Sequence, residues 1–197
     1  MTYILGLTGS IGMGKSTTAK FFSEEGVPTW DADATVRELY APNGAVTDLV
    51  AALYPNVMED GAVSRRKLRG LIAKDSGVLD HLQSIVHPLV AKNRIAFLER
   101  TISPIVLLDV PLLFETGLDK ECDGTVVVSV PPDVQRSRVL ARGEMTSEDY
   151  ELILSRQMQD SEKRERATWV VETLTLDAAR NSVKQILQEI QSGQNYA

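Results

Sequence analysis

Gly9-Ser-Ile-Gly-Met-Gly14-Lys15-Ser16 matches G-x-x-x-x-G-K-[ST] at every fixed position, and its flanks decide how it is read. Upstream, Tyr3 to Thr8 is a short apolar run that reads as a buried strand. Downstream, Thr17 to Glu25 reads as a helix that stops at Gly26. Strand, glycine-rich turn and helix are the context a phosphate-binding loop requires. Glycines let the backbone fold into a concave nest of N–H groups, and the helix N-terminus adds partial positive charge. Lys15 can reach the β- and γ-phosphates, and the Ser16 hydroxyl can hold Mg²⁺. A chance glycine-rich turn does not explain the motif and its flanks together. The loop alone says only that a nucleoside triphosphate binds.

Outward from the loop, Val27 to Trp30 reads as a second short strand ending in Asp31-Ala-Asp33. Between Asp33 and Arg100 the apolar spacing becomes helical, at Val46, Leu49, Val50 and Leu53, and again at Leu79, Leu82, Ile85 and Val86. Ser64 is placed to cap a helix carrying Leu68, Leu71 and Ile72, and Pro88 is expected to bend or end the helix before it. Ile105 to Val110 and Thr125 to Val130 read as strands. Helices are expected at Pro132 to Arg142 and Ser147 to Asp160, a last strand at Trp169 to Val171, and an amphipathic closing helix through Val183, Ile186, Leu187 and Ile190. Short apolar strands alternating with helices imply a parallel α/β sheet. The chain carries no internal repeat or linker-like stretch, and the tail from Ser192 to Ala197 is expected to fray.

Composition bounds the rest. The chain has 197 residues, 43% hydrophobic and 24% charged, which suits one globular domain with a sizeable core. A formal charge of −6 argues against a general nucleic-acid partner, while leaving room for a local basic pocket. No stretch approaches the roughly 18–20 apolar residues of a membrane span, and the N-terminus lacks the charged start of a signal peptide. Cys122 is the single cysteine, so no internal disulfide is possible, and neither His81 nor His87 forms a cysteine-hydrolase signature with it. A soluble cytoplasmic protein is expected, a monomer or weak homo-oligomer without nucleic-acid or membrane partners.

The chain has no N-K-x-D base-recognition motif of a GTPase, and it lacks the length and signature motifs of helicase or transporter ATPases. A small-molecule kinase fits better. Gly6-Leu-Thr-Gly-Ser-Ile-Gly-Met-Gly-Lys-Ser-Thr17 resembles the opening of the dephospho-CoA kinase family, usually written G-L-T-G-G-I-G-S-G-K-S. Asp31-Ala-Asp33 resembles its D-A-D, His87-Pro88 its H-P, and Val110-Pro-Leu-Leu-Phe-Glu-Thr-Gly117 its P-L-L-F-E segment. Gln135, Arg138, Arg142 and Arg156-Gln157 fall where that family places its lid and its R-x-x-Q-type elements. The resemblance runs from about residue 3 to 190. Ser10 and Met13 replace the family's usual Gly and Ser at variable loop positions. Ala167-Thr168 and Glu172 stand where the family shows A-D and an Asn, which weakens assignment of contacts there but not of the reaction.

Single residues keep two readings. By position, Asp33 is either a base near the nucleotide or an N-cap for the helix from Ala34; the resemblance favours the base, with Asp31 structural. Asp109 ends a strand where a carboxylate helps order Mg²⁺, or it caps the strand end. Seven basic residues between Arg136 and Arg166 are interleaved with acids, as on a solvated face, yet a lid needs guanidinium groups over the transferring phosphate. The resemblance favours Arg142, with Arg136, Arg138 and Arg156 secondary. His87 is either a catalytic imidazole or, with the resemblance, a residue of the substrate region, and His81 is read as exposed.

The expected fold is therefore a three-layer P-loop NTPase fold with a parallel sheet. Its nucleotide core spans about 1–33, 101–135 and 167–197, its helical substrate-binding insertion about 34–100, and its helical lid about 136–166. The resemblance implies ATP with Mg²⁺ as co-substrate and dephospho-CoA as acceptor. It implies Gly9, Gly12, Met13, Gly14, Lys15, Ser16 and Thr17 on the ATP phosphates, and Asp33, Lys15 and Arg142 in catalysis. It further implies Asp33, His87, Leu112 and Arg138 on the acceptor, and Ser16 with Asp109 on the metal. The rivals are a kinase of another nucleoside or small metabolite and a non-enzymatic nucleotide switch.

Overall fold

The structure, a computed structural model, describes residues 2–75, 77–143 and 145–193. In chain order it contains β1 (Tyr3–Thr8), α1 (Lys15–Glu24), β2 (Thr29–Asp31), α2 (Ala32–Leu39), α3 (Thr47–Leu53), β3 (Met58–Glu59), β4 (Ala62–Val63), α4 (Arg65–Lys74) and α5 (Gly77–Arg100). There follow β5 (Ile105–Asp109), β6 (Gly124–Ser129), α6 (Pro132–Leu140), α7 (Ser147–Ser155), α8 (Asp160–Arg166), β7 (Trp169–Glu172) and α9 (Leu176–Gln191). The chain divides into two compact units, one of residues 1–30 and 101–197, the other Asp31–Arg100. The segment from 136 to 166 belongs to the first of these.

The first unit is built on a five-stranded sheet of order β2-β5-β1-β6-β7, in which β1 pairs in parallel with β5 and β6, and β6 with β7. Every residue of β5 and β6 is buried, as strands covered on both faces must be. Alternation sorts the side chains. Tyr3, Leu5, Leu7, Ile105, Leu107, Val126, Val128 and Val171 join Phe21 and Phe22 of α1 and Val183, Ile186, Leu187 and Ile190 of α9 in one apolar cluster. The opposite face is covered by Leu113 and Phe114, both buried, and by α8 packed on β6. Helix, sheet and helix make the three-layer α/β arrangement that the alternating pattern predicts.

The second unit holds its own apolar cluster of Val46, Val50, Val57, Val63, Val78, Leu82 and Val86. It differs from the sequence expectation in three places. The β3–β4 hairpin was not foreseen; Asp60 (φ 49°) and Gly61 (φ 77°) form its two-residue turn, a left-handed pair for which Asp-Gly is a favoured sequence. Helix α5 does not end at Pro88 but continues to Arg100. The proline removes one backbone bond at a cost of about 3 kcal/mol, which the buried Val78, Leu82, Val86 and Phe97 on that helix offset. Ser64 occupies the N-cap of α4 in its backbone only, since its side chain makes no cap bond. In the first unit, the helix expected from Ser147 to Asp160 ends at Ser155 as α7, and α8 begins only at Asp160.

Candidate active site

The loop after β1 takes its shape from two glycines in left-handed conformations, Gly12 at φ 78° and Gly14 at φ 91°. A side chain on Gly12 would also meet Val139, 2.5 Å away, and one on Gly14 would meet Thr173, 2.9 Å away. Gly14 is the N-cap of α1, whose first backbone bond runs from Thr18 N–H to Gly14 O. The amides of Lys15, Ser16 and Thr17 thus precede any intrahelical acceptor, the usual condition of a helix's first turn. The side chains of Ser16 and Thr17 are exposed there.

Side chains from three other segments hold the loop in place. Gln135, buried on α6, donates its Nε2 to Ile11 O at 2.8 Å. Gln157, between α7 and α8, accepts Ile11 N–H on its Oε1 at 3.4 Å. Thr173, buried after β7, donates its hydroxyl to Met13 O at 2.6 Å. Met13 itself is 2% exposed and lies in the apolar cluster of the sheet. Its amide is donated to Ser10 O at 3.2 Å and its sulfur accepts Val130 N–H at 3.2 Å. Met13 therefore shapes the loop from beneath, with its side chain away from any phosphate.

Lys15 opens α1, and its Nζ lies 2.6 Å from Oδ1 of Asp109. The two side chains are 14% and 6% exposed, so the pair is largely out of water. Register explains the meeting: Asp109 ends β5 directly opposite Leu7, at the same level of the sheet as the end of β1. Strand ends on this edge of a parallel sheet are where such folds place ligands. The Thr8 hydroxyl donates to Pro111 O at 3.0 Å and ties the end of β1 to the segment after β5. Leu112 is the exposed member of that segment, while Leu113 and Phe114 are buried.

Next to it, Glu115 accepts the Met158 N–H at 2.9 Å and meets Lys163 Nζ at 2.9 Å. The Lys163 side chain has no exposed surface, and the contact is an ion pair rather than a well-aligned hydrogen bond. Burial alone would push the Glu115 carboxyl up; the Lys163 ammonium and the Met158 amide together outweigh it and hold the group below its ordinary range.

The basic segment divides by role. Arg138 gives its guanidinium to Thr173 Oγ1, Thr173 O (2.7 Å) and Leu174 O, so it braces the same threonine that holds Met13. Arg136 donates to the Ser147 hydroxyl at 2.6 Å. Arg142, in the turn after α6, is exposed, and among the described residues its guanidinium has no hydrogen bond or ion pair.

Within the Asp31–Arg100 unit, Asp31 is the N-cap of α2, its Oδ1 accepting Ala34 N–H at 2.9 Å and its Oδ2 paired with Arg37 at 3.5 Å. Asp33 stands in the first turn of that helix, exposed, and makes no cap bond. The capping alternative for Asp33 is thereby answered by its neighbour. His87 is exposed on α5, and His81 pairs through Nδ1 with the Tyr54 hydroxyl at 3.0 Å.

The structure thus brings Lys15 and Asp109 together, beside a loop that carries Gly9, Gly12, Gly14 and Ser16. It commits Arg138 to scaffold contacts and leaves Arg142 and Asp33 exposed on their own units. Sequence reasoning missed Thr173 and Lys163, for which no one-dimensional signal exists. It named Gln135, Gln157 and Glu115 only as parts of a pattern.

The chain is similar to known proteins along nearly its whole length. The family model for dephospho-CoA kinase matches residues 3–177. A dephospho-CoA kinase of Cereibacter sphaeroides is 56% identical over 186 residues, 94% of each chain, and one of Jannaschia sp. is 54% identical over 195 residues, 98% of this chain and all of that one. A crystal structure from Thermus thermophilus superposes with TM-score 0.83 at 35% identity, covering 95% of this chain and 97% of the other. With the phosphate loop, the paired Lys15 and Asp109 and these full-length matches in hand, the chain belongs to the dephospho-CoA kinase family.

Proposed function

We propose that the protein transfers the γ-phosphoryl group of ATP to the ribose 3′-hydroxyl of dephospho-CoA, releasing ADP and CoA. The observation that carries the reading is the Lys15–Asp109 pair at the mouth of a complete phosphate loop, in a chain of this family. Phosphoryl transfer asks little covalent chemistry of a protein; positioning and charge stabilisation do the work.

Each residue then has a task. The first-turn amides of α1 and the Lys15 ammonium bind the phosphates, which requires Lys15 to share or exchange its contact with Asp109. Asp33, a carboxylate without a cap to maintain, orients the acceptor hydroxyl and takes its proton. Arg142 meets the charge that develops on the moving phosphoryl group. The segment 136–166 acts as the lid and 34–100 as the acceptor-binding insertion, with His87 and Leu112 as candidate contacts.

The residues present fit Mg²⁺. The exposed Ser16 hydroxyl and the Asp109 carboxylate are hard oxygen donors, and among the described residues no cluster of three His, Cys, Asp or Glu exists. Such a sparse set suits an ion that keeps water and substrate phosphate in its shell. Bound there, Mg²⁺ would neutralise charge on the β- and γ-phosphates.

Among the described residues no helix is long and apolar enough to cross a membrane, and we place the enzyme in the cytoplasm, as a monomer or weak homo-oligomer. The test is a panel of phosphate acceptors incubated with ATP, with dephospho-CoA expected to lead. Preference for another small metabolite would keep the kinase class and remove the substrate.

A further inference from the structure

Ile11 is the apex of the phosphate loop, and both of its backbone polar groups are held by glutamine side chains. Gln135 reaches it from α6, a regular helix capped by its own backbone. Gln157 reaches it from the break between α7 and α8, where the N–H groups of Arg156 and Gln157 still bond back to Ile153 O and Leu154 O but that of Met158 turns to a side chain from another segment. A side chain projected from such a break is only as well placed as the backbone beneath it.

Glu115 supplies that placement. Its Oε1 accepts the N–H of Met158, the residue next to Gln157, at 2.9 Å, and stands 2.9 Å from the Nζ of Lys163 on α8. The Lys163 ammonium is fully buried, so its separation from Glu115 would leave an unpaired charge inside the protein. Glu115 itself is rooted in the segment after β5, whose Leu113 and Phe114 are buried on the sheet and whose Pro111 O accepts the Thr8 hydroxyl. One carboxylate oxygen therefore joins the end of the central strands, the break in the basic segment and, through Gln157, the loop apex.

We propose that Glu115 is a positioning residue for the nucleotide: by fixing the 156–159 break it sets Gln157 against Ile11 N–H and holds the loop in its binding shape. The inference rests on the phosphate-loop reading of Gly9 to Ser16. It concerns ATP binding and not the phosphoryl step, because among the described residues Glu115 makes no hydrogen bond or ion pair with the loop or Lys15.

The test is a double-mutant cycle of Glu115→Ala and Gln157→Ala, read as KM for ATP and kcat at saturating acceptor. Each single variant should raise KM for ATP by about 3–10-fold, the worth of one positioned hydrogen bond, with kcat within about twofold. The double variant should be no worse than the weaker-binding single, because both act through one contact. Independent effects would multiply to about 10–100-fold and overturn the proposal. A fall in KM in Gln157→Ala would also overturn it, since Gln157 would then be competing with phosphate for the amide.

Glu115→Ala strands the Lys163 charge, so the same cycle is built in parallel on Lys163→Met, which keeps the stem without the ammonium. A folding failure of the first cycle then leaves the second to decide. Lys15→Ala, run alongside, separates the two failures. Full activity there removes the phosphate-loop reading, whereas a dead Lys15→Ala with a multiplicative cycle removes only the role of Glu115.

Discussion

Lys15 and Asp109 stand 94 residues apart in sequence and 2.6 Å apart in space. Parallel pairing of β1 with β5 brings them together, because Asp109 sits opposite Leu7 and the loop begins one residue beyond β1. With both side chains mostly buried, each is a charge partner of the other.

That pairing separates stability from chemistry. Lys15→Ala should lower transfer by at least about 10²–10³-fold. It should also lower the thermal midpoint, since breaking a buried pair costs about 3–5 kcal/mol and each kcal/mol moves a chain of this size by about 2–4 °C. Adding Asp109→Asn should recover much of the midpoint and none of the rate. Calorimetry and a coupled ADP assay on the same three samples check both.

The carboxylates of Asp31-Ala-Asp33 should divide their roles. Asp33→Asn is expected to slow the chemical step by roughly 10²–10⁴-fold with stability nearly unchanged. Asp31→Ala removes a cap bond and should cost about 0.5–2 kcal/mol of stability with a smaller loss of rate. Single-turnover kinetics beside thermal melts would show a reversed ranking at once, and such a result would name Asp31 as the base.

The Arg142 side chain is exposed and, among the described residues, makes no hydrogen bond or ion pair. Arg142→Ala should therefore leave the melting temperature within about 1–2 °C, the range of ordinary surface changes. It should lower kcat by about 10²–10³-fold while altering ATP affinity little. An effect confined to KM would make it a binding residue; no effect would return it to the solvated face.

Glu115 gives a pH signature. Against burial, which raises it, its carboxyl is held below the usual carboxylate range by the Lys163 ammonium and the Met158 amide, so its ionised form contributes stability that is fully present above that range. The contribution fades as pH falls through the lowered value in the folded protein. The melting temperature of the wild type should drop through this acid window more steeply than that of Glu115→Gln, which has no such proton to take up. Parallel slopes would mean the Lys163 contact does not stabilise the ionised form.

The parts legible in sequence were those carried by short-range pattern. The phosphate loop, the strands read at Ile105 to Val110 and Thr125 to Val130, and the closing amphipathic helix follow from spacing and composition alone, and β5 and β6 stand there to within a residue. By position alone Asp33 is a base or a cap; the bond from Ala34 N–H to Asp31 gives the cap to its neighbour, which the sequence reading holds as structural. Thr173 and Lys163 were invisible, since each matters through a partner far along the chain, Met13 and Glu115. Of the bend or end that Pro88 implies, the end does not occur, because the burial of Leu82 and Phe97 on either side offsets the local backbone cost.

The identity of the acceptor decides the reaction. The most direct measurement is the initial rate of ADP release with ATP fixed and dephospho-CoA, AMP or adenosine as acceptor, with the phosphorylated product located by NMR. Dephospho-CoA should be the fastest by at least about 10²-fold in kcat/KM, because remote contacts to the pantetheine arm position the reacting hydroxyl. The new phosphate should sit on the ribose 3′-oxygen. Equal or faster phosphorylation of AMP or adenosine, or a phosphate at any other position, would contradict it.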